Sequence, residues 1–120
     1  MSAPDHYLKQ GDGGVTIRDT LLDANSEPVD IDGATARFIV APIEGGLTII
    51  DEPASNDQTE DPTTNGKVSY TLQVGDTSLA GHFLGEWEVR FTGGAVLTFP
   101  NGGYVHLLIT EQLAGGVVYS

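Results

Sequence analysis

Apolar and polar residues alternate along much of the chain, with the period of two that is typical of β-strands half-buried in a sheet. In the clearest run, Phe83, Trp87 and Val89 lie on one side of the strand. Gly85, which has no side chain, occupies the remaining position on that side. The charged residues between them point the other way. A strand with one apolar and one charged face belongs to an antiparallel sheet that is solvated on one side. The expected core neighbours of Trp87 are Phe38, Tyr70, Phe83, Val89 and Phe91.

The same alternation predicts the other strands, and no stretch shows the helical period over three turns. Strands are predicted at His6–Gln10, Val15–Leu22, Ala34–Val40, Leu47–Asp51, Lys67–Leu72, Phe83–Phe91, Ala95–Phe99 and Tyr104–Thr110. Asp51–Gly66 is expected to be mostly a solvated loop with room for a short edge strand, and Gly93-Gly94 a tight hairpin turn. These elements predict an all-β, antiparallel sandwich of about seven to nine short strands. We expect residues 1–120 to form one domain with short N- and C-terminal arms.

Composition narrows the range of partners. The chain has 120 residues, no cysteine, and 17 acidic against 5 basic side chains, for a formal net charge of -12. Such a surface should repel nucleic acids and anionic membranes, because both bind proteins through cationic side chains. Disulfides and thiolate metal sites are excluded. The start of the chain does not resemble a secretory signal, so export would occur by another route, such as assembly and lysis.

Few residues suggest a metal site. His6, His82 and His106 are far apart in sequence, and solvated or core histidines are far commoner than ligands. Asp23-x-Asn25-x-Glu27 begins like a calcium loop, but Pro28 follows where that loop requires glycine. The carboxylates with a possible calcium role are Asp30, Asp32, Asp51, Glu52, Asp57, Glu60 and Asp61. Their simpler interpretation is a charged, soluble surface, and we predict no metal and no cofactor.

Catalytic signatures are also missing from the sequence. There is no nucleophile elbow and no phosphate-binding glycine loop, and carboxylate pairs arise by chance in a chain this acidic. We therefore expect a protein that is not an enzyme. The hypothesis of a small hydrolase would be supported by the carboxylates alone. A carbohydrate-binding module would need exposed aromatic rings, for which the alternation makes Trp87 unsuitable. The aromatic rings with which such a module could bind a sugar are those of Tyr7, Tyr104 and Tyr119.

Four motifs in a fixed order resemble the N-terminal domain of tailed-phage upper baseplate proteins. They are KQGD at Lys9–Asp12, LLDANSEPVDIDGATARF at Leu21–Phe38, GDTSLAGHFLGEWEVRF at Gly75–Phe91 and VLTFPNGGY at Val96–Tyr104. The resemblance implies an immunoglobulin-like β-sandwich that docks onto the distal tail and neighbouring baseplate proteins. In that family the domain leads into a linker and receptor-binding modules, which have no counterpart in this sequence.

The resemblance therefore implies a structural protein of a bacteriophage virion, assembled in the host cytoplasm. Its partners would be other virion proteins, either the major capsid protein for a decoration protein or tail and baseplate proteins for an accessory. We expect many copies, or a homo-oligomer, in each particle. The alternative is a carbohydrate-binding module, displayed on the virion or secreted.

Apolar residues in the two flanking segments are the candidates for docking arms. Tyr7 and Leu8 lie near the N-terminus, and Val117, Val118 and Tyr119 lie near the C-terminus. An extended arm can add a strand to a neighbour's sheet and gain main-chain hydrogen bonds. The alternative for GGVVYS is that it closes this chain's own sheet.

Overall fold

A computed structural model describes residues 4–100 and 103–111, and these form an all-β domain. Eight strands and one short 3-10 helix make up its regular structure in the described ranges. They are β1 (His6–Lys9), β2 (Thr16–Thr20), β3 (Thr35–Pro42), β4 (Ile50–Asn56), η1 (Pro62–Thr64), β5 (Lys67–Thr71), β6 (Gly81–Arg90), β7 (Val96–Phe99) and β8 (Val105–Thr110). The predicted fold class is confirmed.

The strands follow the order β1-β8-β6-β3-β4-β5-β2, and β7 pairs with the second half of β6. The first part of this path forms a large sheet, and β5 and β2 form a smaller layer opposite it. Strand β4 belongs to both, since it pairs with β3 and, through its last residues, with β5. The path nearly closes into a barrel, with an open seam beside β2. Among the described strands, β1 and β8 form the one parallel pair, which the sequence analysis did not foresee.

The core lies between the two layers and centres on Trp87. Its side chain has no exposed surface, and its ring centroid lies 4.3 Å from that of Phe38, which in turn lies 5.5 Å from Tyr70. Phe83 and Val89 are also buried, as predicted, whereas Phe91 is only partly buried at the edge of the core. A sugar-stacking role for Trp87 is therefore ruled out.

Gly85 shows why the alternation in β6 has a gap. A Cβ atom at this position would lie 3.3 Å from side-chain atoms of both Phe38 and Leu107. The two side chains thus pack over the glycine from neighbouring strands. The Gly93-Gly94 turn is also where the sequence predicted it, joining β6 to β7 with Gly94 at a φ of 95°.

The segment after Ile50 differs from its prediction. Strand β4 begins at Ile50 and runs to Asn56, whereas Leu47–Asp51 was predicted as strand and most of Asp51–Gly66 as loop. β4 is also not an edge strand, because it has partners on both sides. Its polar sequence suits this position since most of its side chains point to solvent. Only the part of the segment after Asn56 is a loop. It contains η1, whose N-terminus is capped by the Asp61 side chain.

The N-terminal segment is integrated into the sheet rather than lying outside it. Strand β1 pairs with β8 along its whole length, and the Asp5 side chain accepts a hydrogen bond from the His106 main-chain N–H at 2.8 Å. Leu8 is 7% exposed and belongs to the core, while Tyr7 is 68% exposed. The strand predicted at His6–Gln10 is confirmed as β1, and the expected N-terminal docking arm does not extend over residues 6–9, which belong to the sheet. Parallel pairing with β8 accounts for the burial of Leu8, since it places that side chain on the inner face.

The loops at the two ends of the sandwich differ in character. At one end, residues 21–34 and 57–66 connect strands and carry seven carboxylates. These are Asp23, Glu27, Asp30, Asp32, Asp57, Glu60 and Asp61. We call this the acidic end. At the opposite end, residues 10–15, 43–49 and 72–80 expose five large apolar side chains, Val15, Ile43, Leu47, Val74 and Leu79. We call this the apolar end.

Candidate docking face

The solvent-facing side of the large sheet is divided into an apolar half and a charged half. The apolar half adjoins the apolar end and is formed by outward side chains of β1, β3, β6 and β8 and by Ile43 in the loop after β3. Its members are Tyr7, Ile39, Ala41, Ile43, Leu84 and Leu108. We call this set the docking face. Tyr7 lies opposite Leu108, and Leu84 lies opposite Ala41. The outward side chains of His82, opposite Leu108, and His106, opposite Leu84, lie between these two pairs.

A shallow concavity lies on the part of the docking face that β3, β6 and the loop after β3 form. It has a volume of about 320 Å³ and is lined by Ile39, Ala41, Pro42, Ile43, Gly45, Leu84, Glu86 and Tyr104. Ile43 is 51% exposed and Tyr104 is 47% exposed, so both present substantial apolar area to solvent. Exposed apolar side chains grouped among polar ones in this way are typical of sites that bind another macromolecule.

Ion pairs join charged side chains in the charged half of the same surface. The guanidinium of Arg37 on β3 donates to the Asp51 carboxylate of β4, and it also donates to the Asp51 carbonyl at 3.0 Å. The bond to the Asp51 carboxylate raises the pKa of Arg37. Arg90 donates to Glu88 at 3.2 Å on β6. These cations are therefore neutralised within the chain, and this half of the sheet presents a polar surface.

A second recess, which we call the seam groove, runs beside β2 where the barrel is open. It has a volume of about 550 Å³, and its lining includes residues 18–22 on one side and Phe99, Pro100, Tyr104 and Val105 on the other. Beneath it, the Trp87 indole N–H donates to the Asp19 carboxylate at 3.0 Å. This bond joins the two layers of the sandwich and satisfies the buried indole N–H.

Several carboxylates of the acidic end are engaged with their own loops. Asp23 accepts main-chain N–H bonds from Asn25 at 2.8 Å and from Glu27 at 3.0 Å, so the sequence that resembles a calcium loop forms a local turn instead. A hydrogen bond from Gln58 lowers the pKa of Asp30, and bonds from Thr63 lower that of Asp61. Within residues 4–100 and 103–111, no three histidine or acidic side chains converge where they could hold a metal ion.

The three histidines lie on neighbouring strands but not on one face. His82 of β6 and His106 of β8 point outward, whereas His6 of β1 lines the seam groove. Of the predicted docking residues, Tyr7 lies on the docking face, and Leu8 offers no surface to a partner because it is buried. Val117, Val118 and Tyr119 lie outside the described residues.

Sequence reasoning missed most of the docking face. It selected Tyr7, but not Leu84, Leu108 or Ile43, because each of these looks like an ordinary apolar residue of its strand or loop. Only the order of the strands reveals that they share a surface. The signal that was available was Leu84 and Leu108 at positions that alternation assigns to solvent.

No protein-family model matches the sequence, and no curated protein matches it either. The resemblance to phage baseplate domains thus remains a prediction. Among the described residues, no helix has the length and apolar character needed to cross a membrane.

Proposed function

We propose that the protein is a structural component of a tailed-bacteriophage virion that binds other virion proteins through the docking face. Its position would be that of a capsid decoration protein or of a tail or baseplate accessory. The phage assignment rests on the four sequence motifs described above. The docking role is supported by one observation of the structure, the apolar half of the large sheet that lies open to solvent beside a charged half.

The charge distribution supports a defined orientation of the docked molecule. The docking face adjoins the apolar end, and the carboxylates of the acidic end lie at the other extreme of the sandwich. A partner that covers the docking face would leave the acidic end directed away from the contact. A chain with a net charge of -12 gains solubility from such an exposed end and avoids casual self-association.

The test is to introduce one charge on the docking face and measure incorporation into particles. Ile43→Glu alters a side chain that is 51% exposed, so the fold should tolerate it. An ionised carboxylate buried against a partner without a counter-charge should weaken binding strongly. Particles are purified from lysates in which the variant replaces the wild-type chain, and the bound chain is quantified. We expect a loss of at least about tenfold, the equivalent of about 1.4 kcal/mol.

Leu97→Glu is the matched control, since Leu97 is 47% exposed and lies on β7, away from the docking face. It adds the same charge at a similarly exposed apolar position. Both variants should melt at the wild-type temperature. Normal incorporation of Ile43→Glu, or equal loss with the two variants, would refute docking through this face.

The runner-up function, a carbohydrate-binding module, has less support from the described residues. Trp87 is buried, and Tyr7 and Tyr104 are the exposed rings that remain from the predicted set. The incorporation experiment separates the proposed function from a secreted module, which would not copurify with particles whichever variant is used. A module displayed on the virion would copurify, and glycan binding by the purified chain would identify it.

A further inference from the structure

We propose that the free edge of β2 is a second docking site, which accepts an extended segment of a different protein as an added strand. The inference rests on the proposed function only in requiring a protein partner, and it uses a surface separate from the docking face. Adding a strand to an open sheet edge is a common way for proteins to bind extended peptides.

The hydrogen-bond register fixes which main-chain groups of β2 are free for such a strand. The Leu21 N–H donates to the Gly66 carbonyl, and the Leu72 N–H donates to the Val15 carbonyl, both at 2.8 Å. In an antiparallel pair, hydrogen-bonded and non-bonded positions alternate. The odd-numbered residues of β2 therefore bond to β5, and the N–H and C=O of Arg18 point away from it.

The described part of the chain places no strand on that side of β2. The strand stands at one end of the sheet path, and the seam groove runs along residues 18–22. The Thr20 N–H donates to the Asp19 carboxylate at 3.0 Å, so the preceding side chain of the same strand already occupies it. Among the described residues, no side chain caps the main-chain groups of Arg18 in this way.

The seam groove would favour apolar side chains on the inward face of an added strand. Its lining includes the core residues Leu21, Trp87, Phe99 and Val105 together with the polar side chains of Asp5, His6 and Asp19. Covering the apolar part of this lining would extend the core by one strand. A strand placed here would also narrow the open seam of the near-barrel.

The outer face beside the edge would favour acidic side chains on the other face of the added strand. Arg18 and Lys67 make no ion pair with any described residue, unlike Arg37 and Arg90. Arg18 lies opposite Ser69, and Lys67 lies opposite Thr20, so the two cations are diagonal neighbours. The nearby carboxylate of Asp57 already accepts a hydrogen bond from Ser55 at 2.6 Å.

These features describe the partner segment as extended, with apolar residues facing inward and acidic residues facing outward. We assign it to a different protein because two copies of this chain each carry a net charge of -12 and repel one another. A partner protein whose binding segment is acidic, and whose other parts are neutral or basic, would avoid that repulsion. Its segment could still pair with Arg18 and Lys67.

The experiment uses the full chain and the peptide acetyl-Thr-Val-Glu-Val-Glu-Val-Thr-amide as a probe. Amide hydrogen exchange is followed by NMR at Arg18 and at Ile17, whose N–H is already bonded to β5. With peptide at about ten times its dissociation constant, exchange at Arg18 should slow by roughly tenfold, and that at Ile17 should not change. A peptide with Pro in place of the central Val lacks the necessary main-chain donor and should give no protection.

Charge reversal tests the predicted chemistry of the partner. Arg18→Glu should weaken binding of the Val/Glu peptide and strengthen binding of the same peptide with Lys in place of Glu. Equal binding of the two peptides to the wild-type chain would overturn the acidic assignment. Failure of every peptide to protect Arg18 would overturn the edge site, as would protection of Arg18 in the free monomer.

Concentration-dependent protection of Arg18 without peptide would identify a second copy as the occupant and also overturn the proposal. None of these outcomes bears on Ile43→Glu, which tests the docking face. Failure of the edge site is thus distinguishable from failure of the proposed function.

Discussion

Trp87 joins the two layers of the sandwich through its ring and through its indole N–H. The ring packs on Phe38, and the N–H donates to Asp19, a residue 68 positions earlier in the chain. Alternation along β6 was sufficient to predict burial of the ring. The carboxylate partner could not be predicted, because it depends on which strand of the opposite layer crosses over Trp87.

Replacing Trp87 should destabilise the fold more than replacing Asp19. Trp87→Ala should lower the free energy of unfolding by about 3–5 kcal/mol, the usual effect of removing a core aromatic ring. Asp19→Ala leaves the indole N–H without its partner and should lower it by about 1–3 kcal/mol. Urea unfolding measures both. Leu97→Ala is the exposed control and should change the value by less than about 0.5 kcal/mol.

A red-shifted, readily quenched fluorescence of Trp87 in the native wild-type protein would contradict its burial. Equal effects of Asp19→Ala and Leu97→Ala would contradict the importance of the bond to Asp19.

The Tyr70 hydroxyl should make stability depend on pH in the alkaline range. Burial raises the pKa of Tyr70, and its hydrogen bond to Asp76 at 2.7 Å raises it further. A raised pKa in the folded state stabilises the protein while the pH is below the unfolded value of about 10, and this contribution is lost as the pH rises above it. The free energy of unfolding should therefore begin to fall at about pH 10 and continue to fall as the pH rises further toward the raised folded-state pKa.

Tyr70→Phe should lower stability by roughly 1 kcal/mol at neutral pH, because it removes the hydrogen bond. The same variant should show a shallower alkaline decline than the wild type. Tyr7→Phe, at a side chain that is 68% exposed, is the control and should keep the wild-type curve. An unchanged alkaline slope in Tyr70→Phe would show that another group causes the decline.

At the scale of elements, the strands with a clear apolar face were predicted, and β4 was not. Alternation in β3, β5, β6 and β8 identified them because one face of each is buried in the core. β4 buries mainly its first residue, Ile50, and contains Pro53, which is uncommon in paired strands. Its pairing with two neighbours is a consequence of the fold and leaves little trace in the local pattern.

The Asn65-Gly66 turn before β5 should be sensitive to a single methyl group. Gly66 has a φ of 76°, and a Cβ atom there would lie 2.6 Å from the Leu21 carbonyl oxygen. Gly66→Ala should therefore lower the free energy of unfolding by at least about 2 kcal/mol, combining left-handed backbone strain with this clash. Gly93→Ala is the matched control, since nothing lies within 4 Å of its added Cβ.

Thermal and urea unfolding compare the two glycine variants. Gly93→Ala should remain within about 0.5 kcal/mol of the wild type, as is usual for surface changes. Similar stabilities for the two variants would contradict the described packing of the turn against Leu21.

At the scale of the whole molecule, the docking face and the contrast between the two ends emerge only from topology. Leu84, Leu108 and Ala41 come from three strands. Strands that are neighbours in the sheet, such as β3 and β6, lie far apart in the chain. Composition predicted an acidic surface but not that seven carboxylates would gather in the loops at one end. It follows that sequence reasoning could favour docking as a function while leaving the surface used for it unassigned.

The C-terminal segment tests whether docking also uses an arm. Deleting Gly115–Ser120 removes Val117, Val118 and Tyr119, whose apolar area would add to the burial at a partner surface. We expect incorporation into particles to fall while the melting temperature stays unchanged. A full-length variant with Ser at those three positions separates the effect of apolar side chains from that of chain length, and it should reproduce the loss. If the deletion destabilises the fold, the segment supports this chain's own sheet, and if incorporation remains normal, docking relies on other surfaces.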